Sequence, residues 1–367
     1  MSTFHDEIAA QPGIAAAMLG AGRAAVDSIG ARIREAKPRG FLIAARGSSD
    51  HAALYAKYLF GRRNRALVSL AAPSLFTHYA SPPRLDGQCV IGISQSGSSP
   101  DVIAVIEEAA SQGALTVALT NDPASKLARA AELVLPLGAG LEKSVPASKT
   151  YTASLLALAL LSEAIDPEPA FERALQEVPR ALTEALTHEV DLARLAPSLL
   201  GPRAIVLGRG FNLATAEEVA LKLTETSYVL ARAWSVADFE HGPIAVVDEG
   251  FPVLLVGGGG PVTADLEGVA KRLEGYGCRV IGIFDCRGVR RDPAPPGPPL
   301  LAGGVPPLDK AGAFDRESVV RIESGLPEEL TPLTLAVLGQ LLAHRVALAR
   351  GIDPDRPRAL NKVTRTW

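Results

Sequence analysis

Two short segments far apart in the chain share one pattern. FLIAARG (41–47) and AIVLGRG (204–210) are each a continuous apolar run that closes on Arg-Gly and leads into a helical pattern. Their glycines, Gly47 and Gly210, lie 163 residues apart. A second pair of landmarks, SQGALTVALTND (111–122) and GYGCRVIGIFD (275–285), sets Gly113 and Gly277 164 residues apart. A near-constant offset at two landmarks implies one unit present twice. The second copy starts near residue 190, after the charged helical bridge FERALQEVPRALTEALTHEV.

Within a copy, the apolar runs are unbroken rather than alternating, so each strand is expected to be covered on both faces, as in a parallel sheet. In the first copy such runs occur at 40–46, 89–94, 114–122 and 133–138, with helical spacing at 51–63 and 151–165. Strand–helix alternation of this kind predicts an α/β fold with right-handed crossovers. The expected organisation is a helical segment over 1–35, a first domain over 36–170, a second over 190–350 and a tail over 351–367. One stretch, RDPAPPGPPLLAGGVPP (291–307), is too rich in Pro and Gly for regular structure and reads as an insertion between strands near 280–284 and 319–322.

Charge and cysteine usage exclude several classes of function. A net charge of −3 gives no general attraction to nucleic acid or an anionic membrane. Cys89, Cys278 and Cys286 show no CxxC spacing, which argues against a zinc site or disulfide scaffold and fits a reducing compartment. Asp6 and Glu7 stand where a secretory peptide would be basic, and no apolar run near 18 residues is expected to span a membrane. The chain reads as cytoplasmic.

The first copy carries a loop the second lacks. SQSGSSPD (94–101) follows a strand and enters a helix, where backbone N–H groups and the helix dipole favour an anion. Ser94, Ser96, Ser98 and Ser99 add hydroxyls, Gln95 an amide, and Gly97 allows close backbone approach. The bland alternative is that Ser99 caps the helix ahead of Pro100, which accounts for one serine of the four. The counterpart in the second copy, GGGGPVTAD (257–265), shows that this fold position does not itself require serines. GSSDH (47–51) is another serine-bearing turn at a strand tip, so both loops can meet one ligand. Neither a GxGxxG nor a P-loop pattern is present, which favours a small phosphorylated metabolite.

The second copy supplies ionisable groups. Glu218, Lys222 and Glu225 fall at i, i+4 and i+7 of one helix, either an exposed salt-bridge stripe or a reactive face. DFEHGP places His241 in a Gly-Pro loop just beyond it.

On ARGSSDHA, ISQSGSSPD, EKSVPASKTYTA (142–153), ALKLTETSY with FEHGP, and DRPRALNKVTR, the chain closely resembles the double sugar-isomerase (SIS) domain proteins. The resemblance is best to the isomerase half of glucosamine-6-phosphate synthase and to the stand-alone SIS-type glucosamine-6-phosphate deaminases. It implies two tandem SIS domains, each a parallel-sheet three-layer α/β/α sandwich of flavodoxin-like type. It implies that Ser94, Gln95, Ser96, Ser99 and Ser49 hold a sugar 6-phosphate, with Gly47, Ser48, Val145 and Ala147 along the sugar. By the same resemblance Glu225 shuttles the proton between C1 and C2 and His241 opens the ring in a neighbouring subunit's site. Lys362 engages the open-chain carbonyl, and Lys222 supports Glu225. Ser98 and Ala147 stand where relatives often carry an acid and a serine.

A homodimer with a hexosamine 6-phosphate as substrate, and no metal or organic cofactor, is what the resemblance implies. The SIS-like pattern begins within about forty residues of Met1 with no cysteine near it, so no glutaminase domain is expected. The expected reaction is then deamination of glucosamine 6-phosphate to fructose 6-phosphate and ammonia. A galactosamine-6-phosphate deaminase/isomerase, a fructosamine-6-phosphate deglycase and a non-enzymatic phosphosugar sensor are the alternatives.

Overall fold

The computed structural model describes residues 2–286 and 316–362. The Pro/Gly-rich stretch 291–307 and the last five residues of the expected tail lie outside them. The first copy builds five strands: β1 (Phe41–Ala44), β2 (Val68–Leu70), β3 (Cys89–Ser94), β4 (Leu115–Thr120) and β5 (Leu133–Pro136). The second builds β6 (Arg203–Gly208), β7 (Leu230–Ser235), β8 (Pro252–Gly258), β9 (Arg279–Asp285) and β10 (Val319–Ile322). Their sheets run β2-β1-β3-β4-β5 and β10-β9-β8-β6-β7, the same order read from opposite ends, and every pairing is parallel. This is the doubly wound order of flavodoxin-like sheets, and it confirms the duplication.

The apolar runs behave as their composition requires. Every residue of β3 and of β4 is buried, as a strand sandwiched between helix layers must be. One hydrophobic core takes in residues of both copies, from Ile43 and Ile91 to Val206 and Leu254. Three helices knit it: Lys149–Ile165, Asn212–Ser227 and Thr331–Ala349. Gly339 lets the last two approach closely, since a methyl there would collide with Val219.

The N-terminal segment is built of three helices: Thr3–Ala9, Gln11–Leu19 and Arg23–Ala36. Pro12 opens the second helix, where its missing N–H costs nothing, and Gly20 and Gly22 flank the second break. A helix long and apolar enough to cross a membrane does exist, over Glu328–Ala349 with mean hydropathy 1.4, but 83% of its apolar window is buried inside the molecule. Its apolar residues are spent on the shared core.

Candidate active site

Both serine-bearing turns leave the same edge of the first sheet. Ala44, the last residue of β1, pairs with Gly92, two residues before the end of parallel β3, so both chains leave at the carboxyl ends of adjacent strands. This is the point where the strand order reverses, between β1 and β3, where open α/β sheets bind ligands. The two turns wall a cleft of about 460 Å³ lined by Arg46, Gly47, Ser48, Ser49, Ser94, Gln95, Ser96, Ser99, Glu142, Val145, Ala147, Glu225, Leu360, Asn361 and Lys362. All nine residues expected to bind the phosphosugar are there.

Local geometry explains the loop. Gly47 has φ 55° and Gly97 φ 58°, conformations natural to glycine, and a methyl on Gly97 would run into Ser125. Ser99 occupies the N-cap position of helix Pro100–Ser111, yet its hydroxyl makes no capping bond and instead meets Ser94 Oγ at 3.2 Å. The capping account of this serine is therefore displaced. Ser98 is exposed and closes the turn by donating from Oγ to the Ser96 carbonyl at 3.1 Å. Beneath the loop, fully buried Asp101 accepts from Arg46 Nε at 2.5 Å, tying one serine turn to the other.

The second copy reaches into this cleft through helix Asn212–Ser227. Lys222 Nζ lies 2.6 Å from Glu225 Oε2 and 3.3 Å from Glu218 Oε1, and Lys222 and Glu218 are buried. The row is not an exposed salt-bridge stripe. Ser48 Oγ donates to Glu218 Oε1 at 2.9 Å, and His51 Nδ1 sits 2.8 Å from Glu218 Oε2, so the first copy completes the cluster. Burial works against the Lys222 charge, but Glu218 and Glu225 outweigh it and raise its pKa. Burial likewise pushes Glu218 up, and Lys222 and His51 pull it below the ordinary carboxylate range. Of the three, Glu225 alone lines the cleft.

The opposite wall pairs Lys362 Nζ with Glu142 Oε2 at 2.7 Å. Glu142 is buried and also accepts from the Ser148 and Thr150 amides, at 3.0 and 3.1 Å, and from Thr150 Oγ1 at 2.8 Å. Burial would raise its pKa, but Lys362 and these hydrogen bonds hold it below the usual value. His241 is placed differently. It follows helix Val236–Glu240, is exposed, and does not line the cleft of its own chain.

Arg46, Glu142, Leu360 and Asn361 were not anticipated as site residues. Arg46 and Asp101 bracket the two serine turns as opposite charges, a signal present in the sequence. Glu142 opens the EKSVPASK segment, where a lone acid between a glycine-rich run and an apolar helix hints at a buried partner.

In the second copy the equivalent point lies between β6 and β8, at Gly210 (φ 59°) and Gly258–Gly260. The Glu328 carboxylate lies against Gly260, where even a methyl would collide with it. Burial, with Glu329 adding to it and Arg62 opposing, pushes Glu328 up to about 7. A carboxyl raised on folding contributes stability below its unfolded pKa, which is lost as pH climbs through the folded value. Wild type and Glu328→Gln should therefore melt together at pH 4.5, with Gln the more stable above pH 8. Thermal melts at both pH values check this, and a gap that does not widen with pH would refute it.

A model of the SIS domain matches residues 33–164 and 201–289, one stretch in each copy. The chain belongs to the SIS-domain family. It is 34% identical to a glutamine–fructose-6-phosphate aminotransferase of Bradyrhizobium diazoefficiens, over 87% of this chain and 51% of that protein. The chain thus spans about half the length of such curated relatives. A solved protein of Silicibacter pomeroyi, provisionally called a phosphosugar isomerase, is 31% identical and superposes with a TM-score of 0.83, covering 97% of this SIS chain and 100% of that one. The C-terminal domain of the Francisella tularensis glucosamine-fructose-6-phosphate aminotransferase shares the fold at TM-score 0.84 and 24% identity, over 97% and 98% of the two chains.

Proposed function

We propose that this chain is a phosphosugar isomerase that converts glucosamine 6-phosphate and water to fructose 6-phosphate and ammonia. The observation that carries the reading is the meeting of Glu225, charge-balanced by buried Lys222, with the serine cradle across one cleft. The hydroxyls of Ser94, Ser96, Ser99 and Ser49, the Gln95 amide and the helix end receive the 6-phosphate. Gly47, Ser48, Val145 and Ala147 then flank the extended sugar. With the ring open, Glu225 takes the C2 proton and returns it to C1, a task for which placement matters more than acidity. The resulting C2 imine adds water and releases ammonia, with Lys362 at the carbonyl end. His241 would open the ring from a second copy, in a homodimer, since its own chain does not bring it to the cleft.

Purified protein should release ammonia and fructose 6-phosphate from glucosamine 6-phosphate in buffer without added metal. Galactosamine and fructosamine 6-phosphates in the same assay identify the sugar, because a faster rate on either would reassign the substrate. Binding without turnover would make the chain a sensor. Formation of glucosamine 6-phosphate from fructose 6-phosphate and glutamine would place it in the synthetic direction of its longer relatives.

A further inference from the structure

The loop between β5 and helix Lys149–Ile165 forms one wall of the cleft without regular secondary structure. Backbone groups in such a loop need partners from elsewhere. Two of them find one in Glu7, a residue of the N-terminal helix that is only 6% exposed. Glu7 Oε1 accepts from the Lys143 amide at 2.6 Å and Oε2 from the Ser144 amide at 3.2 Å, with Lys149 Nζ 3.7 Å away. These amides lie between Glu142, which receives Lys362, and Val145, which faces the ligand space.

The other end of the same helix holds the tail. The Thr3 and Phe4 amides donate to the Asp355 carboxylate at 2.7 and 2.8 Å, seven residues before Lys362. One helix thus holds the backbone just after Glu142 and the tail seven residues before Lys362, and it lies outside the residues that the SIS model matches. Burial, assisted by the nearby Glu142 charge, raises the Glu7 pKa, while the two amides and Lys149 oppose that rise.

We propose that Glu7 is a positioning residue of the active site, holding the loop that sets Glu142 and Lys362 against the sugar. The inference rests on reading this cleft as the hexosamine-phosphate site. A carboxylate suits the task because it can accept two N–H bonds on two oxygens. In Glu7→Gln, of nearly the same shape, an NH₂ would confront one of those donors.

Turnover of glucosamine 6-phosphate by Glu7→Gln should fall on the order of a hundred-fold, the scale of a misplaced reacting group. The fall should lie in kcat, while affinity for inorganic phosphate, assigned to the serine loop, with which Glu7 makes no hydrogen bond, stays within about two-fold. A folded variant with wild-type kcat/KM overturns the proposal. So does a parallel loss of kcat, phosphate affinity and folded fraction, which would mark a purely structural residue. If the variant does not fold, amide exchange in the wild-type protein decides: slow exchange at Lys143 and Ser144 upholds the clasp, and exchange as fast as in exposed loops refutes it. If wild type turns over no amino sugar phosphate, the proposed function fails, and Glu7 is judged by binding alone. Weaker fructose 6-phosphate binding with unchanged phosphate binding upholds its role, and unchanged binding of both overturns it.

Discussion

Glu225→Gln should lose on the order of 10²–10⁴-fold in kcat, the range of a positioned acid–base group. The amide keeps the shape of the carboxylate but cannot carry a proton from C2 to C1. Phosphosugar affinity should change little, because the serine loop proposed to hold the phosphate belongs to the other copy of the fold. Lys222 Nζ can still bond the amide oxygen, and it keeps Glu218 at 3.3 Å as a charged partner. The variant should therefore melt near wild type, and single-turnover kinetics with a separate binding titration check both halves of the expectation. Retained turnover would remove Glu225 from the chemistry.

The second large effect is on stability. Lys222 is fully buried between Glu218 and Glu225 and also donates to Ser48 Oγ at 3.3 Å. Lys222→Met fills much of the same volume but leaves buried Glu218 with only Ser48 and His51 as partners. Removing one member of a buried ionic group typically destabilises by about 3–5 kcal/mol, because the survivor is left charged and uncompensated. Denaturant unfolding at pH 7.5 should show that loss. At lower pH the gap should narrow, since Glu218, depressed in the wild type by burial-resisting Lys222 and His51, can then take a proton in the variant at less cost. A variant as stable as wild type at pH 7.5 would mean that the cluster is held by packing rather than by charge.

Much of this was legible in the residues. The duplicated strand–turn–helix pattern announced two parallel sheets because burial on both faces forces continuous apolar runs. The contrast between the serine loop and its glycine-rich counterpart pointed to the end of the first copy where the cleft lies. Other features were not legible, for definite physical reasons. Glu218, Lys222 and Glu225 have the same spacing whether solvated or buried, and Ser48 and His51 of the first copy close over Glu218, which is buried with Lys222 while Glu225 stays open to the cleft. The Glu142–Lys362 pair joins residues 220 positions apart, beyond the reach of any local pattern. Glu7 spoke in the sequence only against a secretory peptide, and its two amide partners lie 136 and 137 positions away. The apolar content of Thr331–Ala349 was spread evenly around the helix, so it gave no face to read.

The contact from Ser48 to Glu218 also bears on how the site tolerates dilution. Neither copy alone holds both the phosphate cradle and the acid, so a free half would have to find the other in solution. Joined in one chain, the two meet at an effective concentration on the order of millimolar whatever the amount of protein present. On the proposed function, phosphosugar capture and proton transfer would thereby be independent of association, and only the ring opening proposed for His241 of a second chain would stay subject to it.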